Sequence, residues 1–74
     1  MPLRNRIRYW RLETGIQDVK DFADIIGFST WVVERWEEQK IQPTLEALCR
    51  IKERLLPCYP EISLEDLIDY ISEE

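Results

Sequence analysis

Five side chains within six positions, Thr30, Trp31, Val32, Glu34 and Arg35, are the residues of this sequence best suited to contacting another molecule. Their chemistry is recognition rather than bond breaking. An arginine can donate to two acceptors of a guanine at once, a contact worth roughly 1–3 kcal/mol of discrimination. Thr30 can bond a base or a phosphate, Val32 can lie on a thymine methyl, and Glu34 can accept from cytosine while repelling phosphate. Other chemistries lack their parts. The sequence has no histidine; Cys49 and Cys58 are too few for a disulfide framework, lack companions for a zinc tetrahedron, and read as reduced thiols. Asp18, Asp21 and Asp24 read as helix-start and solvent-facing carboxylates, not as a metal or catalytic set. With no nucleophile and base in view, no phosphate loop and no metal cluster, neither an enzyme nor a cofactor is expected.

Those five residues need a helix held out by its neighbours, and residues 19–38 have the spacing of a helix-turn-helix. Two helices crossing steeply over a short turn need a small side chain at closest approach, which Ala23 supplies, and a residue tolerant of positive φ, which Gly27 supplies. A bulky residue at either place is expected to break the angle. Asp18 can cap the first helix of the pair, and Val19, Phe22, Ala23 and Ile26 then share one face. Ser29 can cap the second, whose inward residues are Val33 and Trp36. Units of this kind commonly place their second helix in a DNA groove.

Around the pair, the periodicity predicts five helices and no strand. The first spans Leu3 to Glu13, with Leu3, Ile7 and Trp10 inward, and stops at Thr14-Gly15. The fourth opens at Pro43-Thr44 with Thr44 as cap, buries Leu45, Leu48, Ile51 and Leu55, and stops at Pro57. The fifth begins at Ser63, with Asp66 as a variant capping box, and presents Leu64, Leu67, Ile68 and Ile71. Seventy-four residues make a single domain (1–74), and a chain this short hides only roughly 60% of its unfolded surface, too little for a deep cleft. No apolar run approaches the roughly 18 residues of a membrane span, and the amino terminus has no signal-peptide stretch, so a cytoplasmic protein is expected.

The net charge of −5 is awkward for a nucleic-acid binder, but it is unevenly spread. Residues 1–40 carry seven basic and seven acidic side chains, and residues 41–74 carry three basic and eight acidic. The acidity lies outside the helix-turn-helix, which leaves local phosphate contacts open and predicts weak non-specific binding.

From Asn5 to Ile71 the chain resembles the Cro and lambda-repressor helix-turn-helix family, also called the XRE family. The pieces NRIRYWRLETG, FADIIGFSTWVVERWEEQK, QPTLEALCRIKERL and ISLEDLIDYI match its order of helices and its spacing. The resemblance implies an all-α, five-helix lambda-repressor-like DNA-binding domain with helices 2 and 3 as the helix-turn-helix. It implies base contacts from Thr30, Trp31, Val32 and Arg35 in the major groove, phosphate contacts from Lys20, Ser29, Lys40 and Gln42, and a structural ion pair between Arg11 and Glu37. Val19 stands where the family begins helix two with glutamine, and Trp31 where it favours small or amide side chains. Gln39 stands where it has glycine after helix three, at a cost of about 1 kcal/mol if that residue is left-handed.

The function this implies is a sequence-specific transcriptional regulator, with repression the expected direction, binding double-stranded DNA as a homodimer. The candidate dimer surface is helix five with the Pro57–Ile62 loop, through Tyr59, Tyr70 and Ile71. The competing expectation is a protein-interaction module, or an antitoxin-like partner-binding domain, that keeps the fold while Trp31, Val32 and Glu34 make its outer face apolar and acidic.

Overall fold

The computed structural model describes residues 3–70. Its helices begin where short polar side chains can satisfy the free N–H groups of a first turn. Helix α1 covers Ile7–Glu13. Helix α2 (Val19–Ile26) opens on Asp18, whose carboxylate accepts from the Lys20 N–H at 2.9 Å. Helix α3 (Thr30–Glu37) opens on Ser29, whose hydroxyl accepts from the Val32 N–H at 3.3 Å. Helix α4 (Leu45–Leu55) opens on Thr44, which accepts from the Ala47 N–H at 3.1 Å.

Between α2 and α3 the chain reverses at Gly27, which has φ +82° and donates its N–H to the Ala23 carbonyl at 2.9 Å. A Cβ placed on Gly27 would meet only the ends of Arg50 and Arg54, at 3.8 Å, which is ordinary contact. Glycine is therefore required here for its backbone angle, as the sequence suggested, and a small added side chain would find room. The steric requirement rests on Ala23, which is fully buried.

The core lies where α2 packs on α3 and α4, and it is closed by residues from both ends of the chain. Ile7, Phe22, Ala23, Ile26, Val33, Ile51 and Leu67 are completely covered, and Trp36, Leu55 and Ile62 nearly so. Trp36 meets Phe28 edge to face at 4.9 Å between ring centroids, a favoured aromatic geometry. Trp10 is only half-buried; its indole N–H donates to the Asp66 carbonyl at 2.7 Å and its ring stands edge-on to Tyr59.

Both ends depart from the expected five-helix, all-α architecture. The described residues form four α-helices, a one-turn 3-10 helix (Leu64–Leu67) and a two-stranded antiparallel sheet. Strand β1 (Leu3–Asn5) replaces the first turn of the predicted helix one, and strand β2 (Ile68–Tyr70) replaces the body of helix five, with Leu3 opposite Tyr70 and Asn5 opposite Ile68. Asn5 explains the late start of α1. Its side-chain oxygen accepts from the Ile7 N–H at 3.2 Å, its own N–H is directed to Gln39, and the next N–H, that of Arg6, donates to the Leu67 carbonyl at 2.8 Å. At the other end Asp66 accepts from the Ser63 N–H at 2.9 Å and starts a turn, but Ile68 is already extended, at φ −130° and ψ 157°. A spacing of Leu64, Leu67 and Ile68 suits a helix, yet β-branched Ile68 also suits a strand, and pairing with β1 decides between them.

One smaller expectation changes as well. Leu45, read as the head of the α4 stripe, is 67% exposed, because the first turn of α4 reaches past the core; Ala47 is buried instead. Ile71 lies outside the described residues, as does the side chain of Tyr70.

Candidate nucleic-acid interface

Helix α3 has one face rooted in the protein and one face turned out. Val33, Trp36 and Glu37 are buried, while Trp31 is 59% exposed and Glu34 is exposed beside it. Thr30, Val32 and Arg35 are half-buried at the margin, Val32 leaning on the core. Of the residues predicted to read bases, Trp31 lies on the outward side of one short helix, Thr30 and Arg35 lie at its margin, and Val32 packs partly against the core.

The helix is fixed from behind by a buried charge cluster. Arg11 meets Glu37 with two parallel contacts, Nε to Oε2 at 2.8 Å and Nη2 to Oε1 at 3.0 Å. Its remaining nitrogen, Nη1, donates to the carbonyls of Gln17 at 2.8 Å and Ile16 at 3.2 Å, in the loop before α2. One guanidinium therefore ties α1, the entry to α2 and the end of α3 together. The hydrogen bond to Glu37 and the charge of that carboxylate push the Arg11 pKa above its already high ordinary value, against the opposing effect of burial. Arg8 adds a longer contact to Glu37 at 3.3 Å, with its own side chain 59% exposed. Arg8 was not among the expected partners of Glu37. Its i, i+3 spacing from Arg11 was the available signal.

At the carboxyl end of α3 a second cluster closes the turn. Gln39 is the described non-glycine residue with positive φ, +62°. Its side-chain amide pairs with the backbone of Asn5 as a neighbouring strand would, accepting from Asn5 N–H at 3.2 Å and donating to Asn5 O at 3.0 Å. The Asn5 amide donates to the Trp36 carbonyl at 2.7 Å and to Gln42 Oε1 at 2.9 Å, and Gln42 donates to Gln39 Oε1 at 3.0 Å. Asn5 is buried and was missed from sequence, since its partners are 31 to 37 positions away. Gln42, expected to meet a phosphate, is half-buried with its amide oxygen and one of its two N–H donors engaged inside the protein, which leaves one N–H for such a contact.

The other predicted phosphate contacts are placed as follows. The Ser29 hydroxyl caps α3. Lys20 lies 3.6 Å from Asp24 one turn along α2, with both side chains about two-thirds exposed, so the pair is weak and easily exchanged. Lys40 is exposed in the turn after α3. Arg35 is engaged on its own helix: Nε donates to Glu38 Oε1 at 3.0 Å, and the guanidinium carbon sits 5.4 Å from the centre of the Trp31 ring. Glu38 was not among the expected partners of Arg35, although the i, i+3 spacing permits the pair.

Elsewhere, the loop from Cys58 to Ile62 with Trp10 and Asp66 borders an open depression of about 560 Å³. It coincides with part of the surface expected to pair two copies. Cys49 and Cys58 are both free thiols. Among the described residues no group of three potential metal ligands is gathered, and no helix is long and apolar enough to cross a membrane. Comparison with protein-family models, with curated proteins and with solved structures gave no match to this chain.

Proposed function

We propose that this chain is a sequence-specific DNA-binding regulator of transcription with a lambda-repressor-like helix-turn-helix, acting as a repressor and docking α3 in the major groove. The observation that carries the reading is the posture of α3. It is anchored through Val33, Trp36 and the Arg11–Glu37 pair, and turns Trp31, Glu34 and Arg35 outward beside an exposed α2 start and Lys40. A helix held in this way matches what major-groove reading requires, namely a rigid rod with three or four side chains reaching base edges.

The balance of charge supports selective rather than adhesive binding. Lys20, Arg35 and Lys40 are offset by Asp24, Glu34 and Glu38 nearby, so non-specific attraction to phosphates is small and sequence contacts carry more of the affinity. One small domain buries little surface on DNA, and two copies on a two-fold site supply the rest. The open depression by the Cys58–Ile62 loop is a candidate for the surface between them.

In-vitro selection tests this directly. The purified protein is incubated with a random duplex library at low and near-physiological salt, and the retained duplexes are sequenced. Enrichment of a two-fold motif with half-sites about one helical turn apart is expected. A folded protein that enriches nothing at either salt refutes DNA reading by the chain alone. The 59% exposure of Trp31 favours a second reading, a protein-binding face. That reading predicts binding insensitive to salt and lost in Trp31→Ala, whereas DNA binding that uses Lys20 and Lys40 weakens measurably as salt rises.

A further inference from the structure

Arg35 is held by two neighbours, Trp31 on the outward side of α3 and Glu38, the residue that caps its carboxyl end. Its Nε donates to Glu38 Oε1 at 3.0 Å one turn ahead, and its guanidinium carbon lies 5.4 Å from the centre of the Trp31 ring one turn behind. The Arg35 side chain is 26% exposed and that of Glu38 41%. A guanidinium carries five N–H donors in a fixed plane. With the Nε donor occupied, the edge formed by the two terminal nitrogens is left, and it offers two donors side by side.

Two acceptor pairs fit such an edge in DNA, two oxygens of one phosphate or N7 and O6 of guanine. The choice between them follows from charge. Glu38 sits in direct contact with Arg35 and Glu34 is exposed on the same helix, so a phosphate brought to this guanidinium also meets carboxylates. The Coulomb attraction that makes arginine a strong phosphate ligand is largely offset. A neutral base edge loses nothing by the presence of Glu38 and gains from a donor pair already oriented.

Resting on the DNA-binding reading above, we infer that Trp31 and Glu38 are positioning residues that hold Arg35 for a guanine of the major groove. Trp31 is then the platform under the reader rather than a reader of bases. Glu38 does two things: it fixes the plane of the guanidinium and discourages phosphate from taking the same donors.

The test uses the full chain in parallel selections with Glu38→Ala, Glu38→Gln, Trp31→Ala and Trp31→Phe, each checked for folding by circular dichroism. The wild-type motif is expected to contain a guanine whose replacement by adenine weakens binding about tenfold or more. Replacement by 7-deazaguanine, which lacks the N7 acceptor, is expected to do the same. In Glu38→Ala and Trp31→Ala most of that preference disappears while the other fixed positions of the motif keep theirs. Glu38→Gln, whose amide oxygen still accepts from Nε, keeps the guanine preference but binds unrelated duplex more tightly at low salt. Trp31→Phe keeps the preference because a ring remains under Arg35.

An unchanged guanine preference in both alanine variants overturns the inference, as does loss in Trp31→Ala of a different position from the one Glu38→Ala affects. A wild-type motif without guanine overturns it too, while leaving DNA binding intact. No motif from folded wild-type protein overturns the DNA-binding reading itself.

Discussion

Replacing Gln39 by glycine and, separately, by alanine sets two opposing contributions against each other at the end of α3. The backbone there has φ +62°, a conformation that costs a side-chain-bearing residue about 1 kcal/mol relative to glycine. Against this stands the Gln39 amide, which donates to Asn5 O at 3.0 Å, accepts from Gln42 Nε2 at 3.0 Å, and accepts from Asn5 N–H and Nδ2 at 3.2 and 3.3 Å. The two shorter bonds contribute about 1 kcal/mol each by the usual net worth of such bonds, and the longer two add little. Alanine loses the bonds and keeps the strained backbone, a destabilisation of about 2 kcal/mol. Glycine loses the bonds but relieves the backbone, leaving about 1 kcal/mol. For a domain of this size each kcal/mol lowers Tm by about 4–8 °C. Thermal and urea unfolding followed by circular dichroism and by fluorescence of the three tryptophans reads both variants. A Gln39→Gly protein as stable as wild type, or more so, refutes the argument that the amide network outweighs the strain. Equal stability of the glycine and alanine variants refutes the strain itself.

Further perturbations follow from the same geometry. Arg11→Met leaves Glu37, whose side chain is only 3% exposed, with the distant contact to Arg8 alone, and is expected to cost about 3–5 kcal/mol in urea unfolding; adding Glu37→Leu should restore more than half of that, and no restoration would argue against a stranded charge as the cause. Arg8→Ala removes a partner that is 59% exposed and should cost under about 1 kcal/mol by the same measurement. Gly27→Ala should cost about 1 kcal/mol, the backbone contribution alone, since its Cβ meets nothing closer than 3.8 Å; a much larger loss would mean that the turn is sterically closed. Ala23→Leu forces three heavy atoms into a fully covered site between α2 and its neighbours, and a loss of about 1–3 kcal/mol is expected in thermal unfolding. On the selected duplex, the slope of log affinity against log salt should be shallow, near −2 per subunit if Lys20 and Lys40 each neutralise roughly one phosphate; a slope near zero would remove both from the interface.

What could be read along the chain is what neighbours in sequence decide among themselves. Asp18, Ser29 and Thr44 each cap a helix through an N–H two or three residues ahead, and Gly27 reverses the chain through its own φ. The boundaries of α2, α3 and α4 and the inward residues Phe22, Ala23, Ile26, Val33 and Trp36 were legible for that reason, as a periodic apolar face needs no knowledge of its partner. The outward set on α3 follows from the same period. The ends of the chain answer to distant residues instead. Leu3–Asn5 and Ile68–Tyr70 each carry a pattern compatible with a helix and become strands because they meet each other, and pairing satisfies backbone groups that neither segment can satisfy alone. Asn5, Gln39 and Gln42 look like three unrelated surface amides until the fold brings them within hydrogen-bond reach, and that contact holds Gln39 in a backbone conformation glycine would otherwise occupy. Whether Gln42 faces a ligand or the interior, and whether Leu45 is covered, depend on how α4 sits against the rest. Local hydrogen bonds and helical period act within four residues, whereas strand pairing and buried amide contacts exist only between segments that the folded chain has brought together.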